Sequence, residues 1–310
     1  MMWRISLAAF LTAALSLFAL NAAHAQFNGC SAGFCSPPAA SGGTTYSGPV
    51  DAVASATACW ALRACSSAVR GNAAIQACDA SGANCADVLT DATTGSLPAS
   101  ITRGATNCSG GTCTVKIVYD QTGSNCSGPC NFSQSTTANQ ALLTHNCINT
   151  SLWCLTFTAS NFSLYPASGT FGTINQPYTE SVVIKRTSAF TTQGCVLCGG
   201  NSGLGYESSA NTAFLLATTQ PDFTVTDNAW QSIQAIFNAG SSLADVNGTT
   251  TSLNTGTALS LTNPLFLGVF SNGSSIPFTG TFVEALIYPI GFNSTQYAAM
   301  TSNQRTYWGF

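Results

Sequence analysis

The stretch from Thr114 to Cys126, TVKIVYDQTGSNC, alternates between apolar and polar positions and then stops. In an extended chain Val115, Ile117 and Tyr119 point one way and Lys116, Val118 and Asp120 the other, which predicts a strand over Thr114–Tyr119. Asp120, Gln121, Thr122 and Gly123 break the period with turn-forming residues, Asp120 being suited to accept backbone N–H bonds. Similar runs predict strands at Glu180–Arg186, Ala213–Ala217, Ser232–Phe237, Leu265–Phe270 and Thr281–Tyr288. Asp245-Val-Asn-Gly248 ends in Asn-Gly, the strongest short hairpin signal. Two segments read as helical. Asp51 is placed to cap a helix from Ala52 to Val69, with Trp60 and Ala64 on one face and Gly71 ending it; Ser294 is placed to cap a last helix over Thr295–Tyr307. No solenoid-length repeat is present and no helical pattern alternates with the strands. The expected class is mainly β, a two-sheet sandwich with short flanking helices.

Composition narrows the partners. Charged residues make up 6% of the chain, so its polarity rests on Ser, Thr, Asn and Gly. Nucleic acid requires clustered Lys and Arg, and an anionic membrane surface requires a basic patch; neither is present. Neutral glycans fit such a surface. At the N-terminus, Arg4, the apolar run Ile5–Leu20 and Ala23-His24-Ala25 form the pattern of a secretory signal peptide ending at residue 25. The expectation is an exported protein, secreted or periplasmic, with no membrane insertion once the leader is removed. Residues 26–48, rich in Gly, Ser, Pro and Cys, read as an irregular arm, and no linker divides 49–310, which reads as one domain.

Fourteen cysteines all lie beyond residue 25. Export makes disulfides the default reading, and the close sequential pairs suggest local bridges. Cys108-Ser-Gly-Gly-Thr-Cys113 has a Gly-Gly turn that brings its ends together, so a Cys108–Cys113 bridge is expected. Cys59 and Cys65 fall in the expected helix, where six residues rise about 9 Å. A disulfide needs Cα atoms within about 7 Å, so a continuous helix would send those two to other partners. Cys195-x-x-Cys198 has a zinc-like spacing, but no second such pair follows and His145 is the one histidine beyond the leader. No cofactor is expected.

With these residues in view a family resemblance emerges. Cys108, Cys113 and the following Thr-Val-Lys-Ile-Val-Tyr-Asp-Gln-Thr-Gly123 resemble the Cys-x4-Cys, strand, Tyr-Asp-Gln-Ser-Gly passage of the arabinofuranosidase B catalytic domain. Gly280-Thr-Phe-Val-Glu284 is similar to that family's Gly-Thr-Phe-x-Glu, and the helix after it matches in place. The expected helix near Trp60–Arg70 looks like the family's opening segment. The resemblance implies a concanavalin-like sandwich and retaining removal of L-arabinofuranosyl units from plant polysaccharides. Retention needs two carboxyl groups about 5–5.5 Å apart. The family nucleophile is a Glu in a strand of the type Val-Asp-Met-Glu-Asn; the matching stretch here, Ala213–Gln220, has no carboxylate. The family acid is an Asp in Gly-Gly-Asp-Asn; here Gly268-Val-Phe-Ser-Asn-Gly273 puts Ser271 or a neighbour in that place. The family's adjacent cysteines, which stack on the sugar, become the spaced Cys195 and Cys198.

Candidate site residues follow from what carboxylates and rings remain. Glu180, Glu207 and Glu284 are the only glutamates. Glu207, in Gly203-Leu-Gly-Tyr-Glu, is the candidate nucleophile, with Asp222 or Asp227 as its catalytic partner; the bland reading is a loop-edge Glu. Asp120, Gln121, Tyr206 and Glu284 are candidate substrate-binding residues, against a turn role for the first two and a paired core carboxylate for Glu284. Tyr206, Trp230 and Tyr288 are candidate stacking platforms. Three functions compete: a glycan-binding protein derived from the hydrolase fold, an active arabinofuranosidase with displaced carboxylates, and a structural surface protein.

Overall fold

The computed structural model describes residues 45–123, 126–127, 130–149, 151–158, 165–166, 170–187, 193–269 and 277–310. The expected leader, most of the arm, and the Ser271 position lie outside the described residues. Residues Tyr46–Phe310 form one compact unit. Among the described residues, thirteen strands join a larger sheet and five a smaller one, and their pairings are antiparallel.

The strand Gly280–Tyr288 organises the larger sheet and is buried along its whole length. Tyr178–Arg186 pairs along one of its edges; Trp153–Phe157 and Ala58–Ala61 share the other edge, paired with its first and second halves. Beyond Tyr178–Arg186 come Gln231–Phe237, Ser242–Val246 and Thr249–Leu253. The last two form the hairpin that Asn247-Gly248 predicts, with Asn247 and Gly248 both at positive φ. The smaller sheet runs Asp222–Thr224, Thr212–Leu216, Gly203–Tyr206, Gly194–Cys198 and Phe266–Leu267. The two sheets enclose one apolar core, with Val182, Ile233, Ala285 and Ile287 from the larger meeting Leu197, Leu204 and Leu215 from the smaller. The class is a two-layer β-sandwich.

Opposite residues in an antiparallel ladder share a face. The register Ser181↔Gln234↔Asp245 therefore places a polar row on the sheet's outer surface, and Glu180↔Ala235↔Ala244 places the next row in the core. The C-terminal helix Ser294–Trp308 covers the polar row. Gln304 donates to Ser181 Oγ at 2.9 Å and to Glu284 Oε1 at 3.0 Å, and accepts from Ser232 Oγ and Gln234 Nε2. The helix is thus docked through hydrogen bonds together with buried Trp308, which joins the main core, and Met300, which packs with Leu286, Tyr288 and Phe292.

Several expectations need correction. Ala52–Val69 is not a helix. Pro49–Ala52 makes one turn and Ala58–Ala61 is a strand buried on both faces against Gly280–Tyr288. Alanine's helix preference amounts to less than about 1 kcal/mol per residue and yields to tertiary pairing. The family's expected opening helix is accordingly absent here. With the chain extended, Cys59 and Cys65 come to a Cα separation of 6.3 Å and bond to each other. The last helix is capped by Asn293, not Ser294: Asn293 accepts from the Gln296 N–H while Gln296 returns a bond to the Asn293 N–H. Finally, a bulge between the Gln76 and Ala77 pairings resets the alternation in Thr114–Val118, so Val115 and Val118 are both buried while Ile117 turns outward. The strand expected over Leu265–Phe270 is described only as Phe266–Leu267.

Among the described residues five disulfides close short loops. Cys78–Cys85, Cys108–Cys113, Cys147–Cys154 and Cys195–Cys198 join Cys59–Cys65 as disulfides. The Cys195-x-x-Cys198 spacing is therefore a bridge within one strand and not a zinc pair.

Candidate functional site

The turn after Thr114–Val118 is a clamp. Asp120 Oδ1 accepts from the Cys59 N–H at 3.0 Å and from the Thr122 N–H and hydroxyl. Gln121 Oε1 accepts from the Cys65 N–H at 3.0 Å, and its amide donates to the carbonyls of Ala61 and Arg63. Every polar bond of Gln121 thus goes to the bridged loop Cys59–Cys65. Burial pushes the Asp120 carboxyl above the usual range, opposed by the N–H bonds it accepts. Both residues hold backbone in place, and no side-chain group of Gln121 is left over for a sugar.

Glu284 lies in the core beneath the C-terminal helix. Its Oε2 sits 2.6 Å from Arg63 Nε and also accepts from Trp308 Nε1 at 3.1 Å. The Arg63 guanidinium stacks 4.3 Å from the Tyr307 ring centre. The carboxylate that ends Gly-Thr-Phe-Val-Glu284 is a core ion pair and cannot face a groove. Tyr206 and Tyr288 have no exposed surface, so neither presents a ring to a ligand. Trp230 is half-buried, donates to the Cys147 carbonyl and has Lys185 Nζ 5.4 Å from its ring centre.

Glu207 stands where the smaller sheet turns. It follows Gly203–Tyr206, and its N–H closes the turn onto Thr212 at 3.1 Å. Arg186, buried at the end of the larger sheet's Tyr178–Arg186 strand, reaches across. Its guanidinium donates to the carbonyls of Glu207, Ser209 and Thr212 at 2.8–2.9 Å. Asp227 lies 3.4 Å from Arg186 Nε and accepts from the Asn211 N–H, which commits it to holding this turn. The turn under Glu207 is therefore built by a buried ion pair.

The Glu207 side chain is half-buried and outward. Its Oε1 accepts from Gln193 Nε2 at 2.8 Å and from Gln220 Nε2 at 2.6 Å. The register Gly205↔Phe214↔Asp222 puts Asp222 on the same face. Asp222 is exposed, and its carboxyl is pushed up by desolvation and by the negative charge of Glu207. Gly205 is required on this face because a Cβ there would run into the Phe214 ring. Of the candidate catalytic residues the fold thus brings Glu207 and Asp222 together and sends Asp227 to the scaffold. Gln193 and Gln220 complete the cluster; the sequence offered no signal for them, since isolated glutamines carry no spacing pattern. Cys195 and Cys198 are buried and offer no sulfur surface for stacking. Among the described residues no group of three or more His, Cys, Asp and Glu side chains is placed to hold a metal.

No protein-family model matches the chain, and no curated protein matches it. Solved structures do. An arabinofuranosidase complexed with arabinofuranosyl-α-1,2-xylobiose superposes with a TM-score of 0.58 at 14% identity over 83% of this chain. A GH54 α-L-arabinofuranosidase mutant soaked with 4-nitrophenyl α-L-arabinofuranoside gives 0.59, and a GH54 enzyme soaked with a cyclic sulfate inhibitor gives 0.54, at the same identity and coverage. The chain shares their fold. It spans 64% of the length of each of those chains. The likeness agrees with the motifs at Cys108–Gly123 and Gly280–Glu284.

Proposed function

We propose that the chain is an exported carbohydrate-engaging protein that binds neutral, arabinose-containing glycan at the outer face of its smaller sheet. The observation that carries this reading is the cluster of Gln193, Glu207, Gln220 and Asp222. Two carboxylates and two amides on one face supply the mixed donors and acceptors that sugar hydroxyls require. The shared fold supports the ligand class, because one similar structure is complexed with arabinofuranosyl-α-1,2-xylobiose and another was soaked with 4-nitrophenyl α-L-arabinofuranoside. Export rests on the signal-peptide pattern that ends at Ala25.

Binding without hydrolysis is favoured by the sequence around the site. The strand that matches the family's nucleophile region has no carboxylate, and both amides at Glu207 converge on one oxygen. Hydrolysis by displaced carboxylates is the second reading, favoured by the electrostatic proximity of Glu207 and Asp222. It requires them at about the 5–5.5 Å separation of retaining enzymes.

One experiment separates the two. Oxidised, folded protein is titrated with arabinoxylan oligosaccharides by calorimetry and assayed for arabinose release, beside a Glu207→Gln variant. Saturable binding that weakens in the variant, with no sugar released, supports the binding reading. Release abolished in the variant would make the protein an enzyme with a relocated nucleophile. Absence of both binding and release would remove the carbohydrate reading.

A further inference from the structure

A groove of about 490 Å³ lies on the opposite side of the larger sheet from the smaller one, between the C-terminal helix and the Asn247-Gly248 hairpin. It shares no lining residue with the Glu207 cluster. Its volume falls within the range of about 300–1,000 Å³ typical of small-molecule sites. Asp245 lines it from the hairpin; Tyr297, Thr301, Ser302 and Arg305 line it from the helix, and Phe310 from the chain end.

Asp245 gives the groove its chemistry. The side chain is buried, and Oδ1 accepts from the Thr301 hydroxyl at 2.9 Å and from the Gly248 N–H at 3.2 Å. Both of those donors' residues also line the groove. Oδ2 has no hydrogen-bond partner. A buried carboxylate oxygen without a donor costs free energy, and a bound hydroxyl removes that cost. At the rim Arg305 is exposed and held only through the carbonyls of Phe310 and Asn247 at 3.1 and 3.3 Å. Arg305 lines the same groove as Asp245, and its guanidinium brings N–H donors there for a ligand acceptor.

Among the lining side chains the Asp245 carboxylate and the Arg305 guanidinium oppose each other, so the groove offers both an acceptor and a donor to a neutral ligand. The hydroxyls of Thr301 and Ser302 add groups that both donate and accept, and the Tyr297 and Phe310 rings offer apolar faces for C–H surfaces. We propose that this groove is a second binding site, separate from the Glu207 face, for a neutral polyhydroxylated ligand the size of one or two sugar units. Two sites on opposite layers would let one molecule hold two glycan segments at once, and linked binding of that kind raises avidity without new contacts.

The test uses the full oxidised chain, isotope-labelled, titrated with arabinobiose and followed by amide resonances. Saturable shifts are expected at Gly248 and along Tyr297–Thr306. Ser302→Trp, on the exposed helix surface, fills the groove without touching the core and should weaken those shifts' affinity at least tenfold. Asp245→Asn should weaken it too, and the Trp variant keeps the test sound if the Asn variant disturbs the hairpin. Glu207→Gln should leave the helix-side shifts unchanged even if it abolishes binding at the other face. Absent helix-side shifts, shifts that survive Ser302→Trp, or shifts lost in Glu207→Gln would each overturn the second site.

Discussion

Arg63 Nε and Glu284 Oε2 lie 2.6 Å apart with no exposed surface on either side chain, although 221 residues separate them in sequence. Removing one partner leaves the other charge buried and unpaired, which typically costs about 3–5 kcal/mol. Glu284→Ala should therefore lower the urea midpoint sharply, while Arg63→Met combined with Glu284→Gln should recover part of the loss. A change under about 1 kcal/mol in the single variant would mean that water reaches the site.

Gln121 binds the Cys59–Cys65 loop through three backbone groups. Gln121→Ala frees the Cys65 N–H and the Ala61 and Arg63 carbonyls, for an expected loss of about 1–3 kcal/mol. Because the role is structural, glycan affinity per folded molecule should stay the same. A binding loss without a stability loss would return Gln121 to the candidate ligand residues.

Glu180 faces the apolar core, and neither of its oxygens has a partner of normal geometry. Burial pushes its carboxyl well above the usual range, with a small opposing contribution from the Leu204 amide. The folded state thus holds this proton more tightly than the unfolded chain. Its contribution is fully present below the unfolded pKa, about 4.3, and is lost as pH rises toward the folded value. Glu180→Gln should raise the melting temperature increasingly between about pH 5 and 8, by about 2–4 °C for each kcal/mol relieved. Equal melting temperatures for the two proteins at every pH would show Glu180 to be solvated.

Asp79 has the opposite sign. Bonds from the Asn84 and Ser81 side chains and from the Ala83 and Asn84 N–H groups hold it down to about 2. Its contribution is present above the unfolded value, about 3.9, and fades as pH falls toward about 2. Asp79→Asn should narrow the stability difference between pH 5 and pH 2; an unchanged acid limb would assign that limb to other carboxylates.

Arg186 makes three carbonyl bonds under Glu207, a fork that lysine cannot reproduce. On the proposed function, Arg186→Lys should weaken oligosaccharide binding about tenfold, or about 1.4 kcal/mol. Unchanged affinity in a folded variant would separate the Arg186 turn from the binding face.

Local signals were readable where local physics decides. The alternation in Glu180–Arg186 and Thr281–Tyr288, the Asn-Gly hairpin and the Cys108–Cys113 turn each depend on residues close in sequence, and each appears in the fold. The Ala52–Val69 helix failed because Ala58–Ala61 is selected by its partner strand, more than 200 positions away. The candidate site was half legible. Glu207 and Asp222 could be named as scarce carboxylates, but only the Gly205↔Phe214↔Asp222 register puts them on one face. Asp227 looked equivalent to Asp222 until Arg186 claimed it.

By itself, then, the sequence determined the β class, the Cys108–Cys113 bridge and the turn at Asp120–Gly123, because periodicity, short loops and turn chemistry act over a few residues. The tertiary structure alone decided what those residues serve: Asp120 and Gln121 as a clamp on Cys59–Cys65, Glu284 as the counter-charge of Arg63, and Asp245 as the floor of a groove. The physical reason is that a polar side chain's role is set by which partner desolvates it, and sheet pairing draws that partner from anywhere in the chain.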